Sequence, residues 1–205
     1  MTDFLLAAIH LDPVAMLTAG GYLGLALAVF AETGLLIGIF LPGDSLLFAA
    51  GMLSSGGFLA IQPLILIVVV AAILGDSVGY WLGMKAGDSL ALRPDSRFFK
   101  REYLARTEQF FATYGGRAVV LARFVPIVRT IAPLFAGAGS MRYRTFLAYN
   151  VIGGILWGAG MLLLGYSLGS IVPESEKYLL PISLAIIAIS FFPILINLAR
   201  GKRVV

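Results

Sequence analysis

The chain has 205 residues, 60% of them apolar and only 13% charged, with a mean hydropathy of +0.95. A soluble domain carries about a quarter charged residues, so this composition excludes an ordinary water-soluble fold and points to an integral membrane protein. The net charge of +4 is confined to stretches between apolar runs, unlike a nucleic-acid footprint, and the lack of cysteine excludes disulfides, thiol catalysis and Cys-ligated zinc.

The N-terminal "MTDFLLAAIHLDP" has no Lys or Arg and so lacks the basic region of a secretory signal peptide; the first helix is expected to act as its own insertion signal. A bilayer core of about 30 Å needs roughly 20 apolar residues in a helix. Runs at 14–31, 60–84, 146–170 and 179–199 meet that length. Runs 33–56 and 118–139 are long enough but broken, by "FLPGDS" (40–45) and "FVPIVRT" (124–130). Proline removes a backbone donor, and Pro-Gly-Asp is a turn signal. Each half then holds about nine residues, ~14 Å of helix, which ends at mid-bilayer. Between these halves, 97–114 places Phe99, Tyr103, Phe110 and Tyr114 near one helical face. That pattern suits a helix lying in the cytoplasmic interface, or a connector packed on the protein.

Charge placement sets the expected topology. Residues 85–117 hold Lys85, Arg93, Arg97, Lys100, Arg101, Arg106 and Arg117, the next loop holds Arg142 and Arg144, and the C-terminus holds Arg200, Lys202 and Arg203. If 118–139 dips in and returns, all of these stay cytoplasmic, as the positive-inside rule prefers. Residues 33–56 then dip in from the outside and both termini are cytoplasmic. The expected fold is an all-α polytopic membrane protein, one domain over 1–205, with about four spanning helices and two re-entrant hairpins entering from opposite faces. Such backbone survives in a bilayer only where it is buried in protein or lines a cavity.

Ionisable residues within apolar segments usually pair and mark function. Glu32 and Asp44 flank the first dip, while Arg123 and Arg129 occupy the second. Their charges sum to zero, so they can share a buried site. Arginine presents a planar fork that matches phosphate, so Arg123 and Arg129, with the hydroxyls of Thr130 and Ser45, are the candidate substrate contacts. Glu32 and Asp44 are the candidate proton carriers. Plainer readings exist: Glu32 or Asp44 capping a helix, and Arg123 snorkelling to the interface. Asp76 reads as a buried partner for an arginine, and Pro42, Gly43, Pro126 and Pro133 as the residues that shape the breaks. Glycines 75, 79, 83 and 87, and the pair 154 and 158, form smooth ridges for close packing within the chain or in a homodimer. Asn150, Trp81 and Trp157 read as packing and interface anchors.

The segments "ETGLLIGIFLPGDSLLFAAG" (32–51), "GDSVGYWLGMKAG" (75–87) and "ARFVPIVRTIAPLFAGAGSM" (122–141), in that order, resemble the bacterial DedA membrane proteins, also called SNARE-associated or VTT-domain proteins. The resemblance covers about residues 15–170. It matches the family's two acidic positions to Glu32 and Asp44 and its essential arginines to Arg123 and Arg129. It implies a bacterial inner-membrane protein that maintains the envelope using the proton-motive force. Some members recycle undecaprenyl phosphate across the membrane, and eukaryotic relatives move phospholipids between leaflets.

The leading expectation is therefore a flippase for a phosphate-bearing lipid, driven by the proton gradient and needing no bound cofactor or metal. The alternatives are a proton-coupled carrier for a small ion or solute, a general phospholipid scramblase, and a structural scaffold. An enzyme is disfavoured, since the one histidine is His10 and no zinc, Walker or nucleophile-elbow motif occurs.

Overall fold

The computed structural model of the chain describes residues 13–35, 43–91, 111, 113–139 and 141–171. Helix α1 runs Pro13–Gly34, α2 Gly43–Ser55, α3 Ile61–Ala91, α4 Arg117–Ala122 and α5 Pro126–Ala138. Helix α6, Tyr143–Gly154, continues through a π-helical turn, Ile155–Ala159, into α7, Gly160–Ile171. No strand occurs among the described residues. Stretches Ile61–Ala86 and Tyr143–Ile171 are long and apolar enough to cross a membrane, at the places expected from the 60–84 and 146–170 runs. Helix α1 covers the 14–31 run but is kinked at Gly21, whose φ of 52° suits glycine alone. The expected helix 179–199, most of the 97–114 segment, the first half of the 33–56 run, Pro42 and His10 lie outside the described residues.

The 118–139 run is interrupted as its prolines require. Val125 is extended (φ −115°, ψ 109°) because the following Pro126 ring clashes with a helical residue before it. Pro126 then opens α5, where its missing N–H costs nothing. Pro133 sits inside α5 and cannot donate to the Arg129 carbonyl one turn back.

The chain divides into two compact units. One comprises Met1–Leu25, Pro42–Leu64 and Met161–Val205. Lipid tails are as apolar as leucine, so helices associate there by close packing and hydrogen bonds rather than by burial from water. Glycines supply the close packing. A Cβ on Gly51 of α2 would overlap the Leu162 carbonyl, and one on Gly165 of α7 would overlap that of Phe48. Tyr22 of α1 holds the turn before α3, where the Ala60 N–H donates to its hydroxyl at 2.8 Å.

The second unit, Ala26–Leu41 and Ile65–Gly160, contains the intramembrane arginines. Here α3 and α6 run in opposite directions: Ser77 meets Tyr143 at 3.4 Å, Ile73 accepts from Asn150 at 3.1 Å, and Gly158 faces Val68. Helix α4 follows the direction of α6, with Gly116 against Tyr149 and Val120 against Gly153. Helix α5 follows α3 instead, with Pro133 against Gly79 and Gly137 against Tyr80 and Met84. A Cβ on Gly83 would overlap the Leu134 carbonyl. The turn after α5 is fixed by Tyr80, whose hydroxyl donates to the Met141 carbonyl while its ring stacks on Phe146 at 4.7 Å.

One sequence pattern recurs. Gly79-Tyr80-Trp81-Leu82-Gly83 on α3 and Gly165-Tyr166-Ser167-Leu168-Gly169 on α7 both read G-Y-x-L-G, and in each unit these glycines carry a short helix against their backbone. By contrast, a Cβ added at Gly160 would have nothing within 4 Å of it. Gly160→Ala is therefore expected to raise stability by up to about 1 kcal/mol through the helix-propensity gain alone. A thermal melt in detergent checks this.

Candidate functional site

The second unit gathers four ionisable residues. Glu32 lies in the last turn of α1, which is drawn onto α3 where Gly34 and Gly75 meet backbone to backbone. Thr33 beside it turns its hydroxyl inward, donating to the Val29 carbonyl at 3.0 Å. Arg123 follows the end of α4, and Arg129 lies in the first turn of α5, beyond the Val125–Pro126 break. Asp76 projects from the middle of α3. It stands about 22 Å of helix from Ile61 and about 15 Å from Ala86.

Arg129 forms an ion pair with Glu32, and Arg123 with Asp76. All four are buried, Glu32 to 1% and Arg123 to 3% exposure. An isolated charge at the centre of a bilayer costs ~3 to ~15 kcal/mol, and each buried charge here has an ionic partner to offset such a cost. Arg123 Nη2 also donates to Asn150 Oδ1 at 2.7 Å and approaches the Ala72 carbonyl at 3.4 Å. Asn150 is held in turn by its own donation to Ile73. Arg123 Nη1 is buried and makes no hydrogen bond among the described residues.

The ring of Trp157 joins the two pairs. The Arg123 guanidinium lies 5.6 Å from its centroid and that of Arg129 lies 4.9 Å from it. Trp157 is 2% exposed and sits within the π-helical turn. Of the reading of Trp157 as a packing and interface anchor, the packing part holds and the interface part is corrected, while Trp81, at 47%, is half-exposed. Asn150 is fully buried and belongs to the site. No periodicity signals either role; a polar Asn at mid-span was the available clue.

Glu32 pairs with Arg129 from α1's final turn, and Arg123 is buried on Asp76 and does not snorkel to an interface. Thr130 is buried next to Arg129 in sequence, and Pro133 is buried against Gly79. In the other unit, Gly43 opens α2, Asp44 is half-buried in its first turn and Ser45 is buried. Among the described residues, no group of three His, Cys, Asp or Glu side chains is placed to hold a metal ion.

The chain resembles known proteins along most of its length. The VTT domain matches residues 41–167. The chain is 44% identical over 207 residues to Protein DedA of Escherichia coli K12, covering 99% of this chain and 94% of that one. An uncharacterized membrane protein of Mycobacterium tuberculosis H37Rv is 44% identical over 201 residues, covering 94% and 88%. The inner membrane protein YqjA of Escherichia coli K12 is 35% identical over 157 residues, covering 77% and 71%. No solved structure matches. With a domain match over more than half its length and relatives aligned nearly end to end, the chain belongs to the VTT-domain, or DedA, family of membrane proteins.

Proposed function

We propose that the protein is an inner-membrane flippase for a phosphate-bearing lipid, such as a polyprenyl phosphate, powered by the proton gradient. The observation that carries this reading is the pair of buried guanidinium groups at mid-span, each held by a carboxylate and both facing one indole ring. A guanidinium keeps its charge at all relevant pH values and binds phosphate through parallel N–H donors. Arg123 Nη1, buried and with no hydrogen bond among the described residues, is a donor such a ligand would satisfy.

In this mechanism Glu32 competes with the lipid phosphate for Arg129. Protonation of Glu32 from the acidic outer side removes the competitor's charge and frees the guanidinium. Loss of that proton inward restores the ion pair and ejects the phosphate. Asp44, on the first turn of α2, is proposed as a second proton carrier, and Asp76 fixes Arg123. The lipid tail remains in the bilayer, where Phe124, Val125 and Val128 expose apolar surface around the break.

The proposed topology makes 118–139 re-entrant from the cytoplasm. Its support is directional: α4 runs with α6 and α5 runs with α3, while α3 and α6 oppose one another. A segment that enters with one spanning helix and leaves with its opposite returns to the face it came from. With 33–56 proposed to dip in from the outside, both termini are proposed to be cytoplasmic, with the basic loops.

Arg129→Lys tests the chemistry. Reconstituted protein carrying it is expected to move polyprenyl phosphate between leaflets at least about tenfold more slowly than wild type, since an ammonium cannot reproduce the fork. Unchanged movement would reduce Arg129 to a counter-ion, and no movement by the wild-type protein would favour a proton-coupled small-ion carrier.

A further inference from the structure

Two like charges on one buried ring repel each other in a low-dielectric site. The Asp76 carboxylate, bonded to Arg123, also lies within Coulombic reach of Arg129 and offsets part of that repulsion. The two guanidinium groups also share the ring of Trp157, 5.6 Å from one and 4.9 Å from the other. The ring's electron-rich faces attract cations, most strongly for tryptophan. Its position is also built. Trp157 occupies a π-helical turn, a local widening that re-aims side chains and is otherwise rare. Gly154 and Gly158 flank it and let the helix lie close to Ile73, Val68 and Val69 of α3.

We infer that Trp157 is the positioning residue that holds Arg123 and Arg129 together as one divalent anion-binding unit, an assignment that rests on the phosphate-lipid reading. When a carboxylate releases its arginine, by protonation or by exchange for phosphate, the indole still holds the guanidinium near the other. The site therefore meets the incoming phosphate with its cations already paired. Without the ring, a released arginine is free to swing away from the other, and the phosphate must reassemble the site.

Fluorinated tryptophan tests this, because fluorine drains charge from the ring face while barely altering its shape. The chain has two tryptophans, so Trp81→Phe leaves residue 157 as the only site of incorporation. Translocation of polyprenyl phosphate in reconstituted vesicles is expected to fall stepwise from tryptophan to 5-fluorotryptophan to tetrafluorotryptophan. The last should be about tenfold slower, the rate equivalent of about 1.4 kcal/mol. A rate independent of fluorination, in a protein that does transport, would overturn the inference. The 5-fluoro label supplies a second measurement that needs no substrate: its ¹⁹F resonance is expected to move in both Arg123→Gln and Arg129→Gln. If the unfluorinated protein fails to move the lipid, the transport reading falls, and the resonance alone decides Trp157. A resonance unmoved by either substitution would sink it.

Discussion

Asp76→Ala is expected to remove about 3–5 kcal/mol of stability, the usual consequence of stranding one member of a buried ion pair. Arg123 would remain at mid-span, 3% exposed, with Asn150 and the Ala72 carbonyl as neutral acceptors only. Asp76→Asn keeps an acceptor and should recover part of the loss. Removing both charges, by Asp76→Leu with Arg123→Met, should recover most of it, because no charge is left to solvate. The same double variant should not transport. Unfolding midpoints in mixed micelles, paired with the vesicle assay, separate the two effects. An unchanged midpoint for Asp76→Ala would mean that the pair does not support the fold.

The second large effect is steric. Gly83→Val is expected to cost about 3 kcal/mol or more, because even the first added carbon would overlap the Leu134 carbonyl, which cannot rotate aside. The relief available is to push α5 away from α3. Arg129 is carried on α5 and its partner Glu32 on α1, so the same displacement would pull the ion pair apart. Transport should fall even in whatever fraction still folds. Gly137→Val attacks the same contact from the other helix, at the Tyr80 carbonyl, and should behave alike. Comparable melting temperatures for Gly83→Val and wild type would show that the interface is looser than its backbone contacts imply.

Much of this is readable from the residues alone. Proline chemistry is local, so Pro126 by itself dictates an extended Val125 and a fresh helix start. The lengths of the two long helices follow from apolar run length, and Asp76 beside a glycine ridge reads as a partner for an arginine because a mid-membrane acid needs one. Which acid meets which arginine is a different kind of question. Counting charges brings Glu32, Asp44, Arg123 and Arg129 into one neutral set, yet the acid bound to Arg123 is Asp76, 47 residues away on α3. Distance in space, not charge balance, decides that. Trp157 is illegible for another reason. An aromatic in an apolar helix has the same composition whether it faces lipid or two cations, and a π-turn leaves no mark in hydrophobic periodicity. The repeated G-Y-x-L-G is the opposite case: it lies in plain sight, but its meaning depends on seeing which carbonyls the glycines admit.

The wide turn at Ile155–Ala159 also sets a phase. An α-helix advances about 100° per residue, and a π-turn accommodates one residue beyond the regular count. Residues inside the turn are therefore displaced from the positions an uninterrupted rod would give them. Gly154 precedes the turn, Trp157 and Gly158 lie within it, and both glycines face α3. Losing Ile155 would keep every other named side chain in the protein and still swing the indole ring away from the two arginines it faces. In this helix, spacing is as much a part of the design as identity.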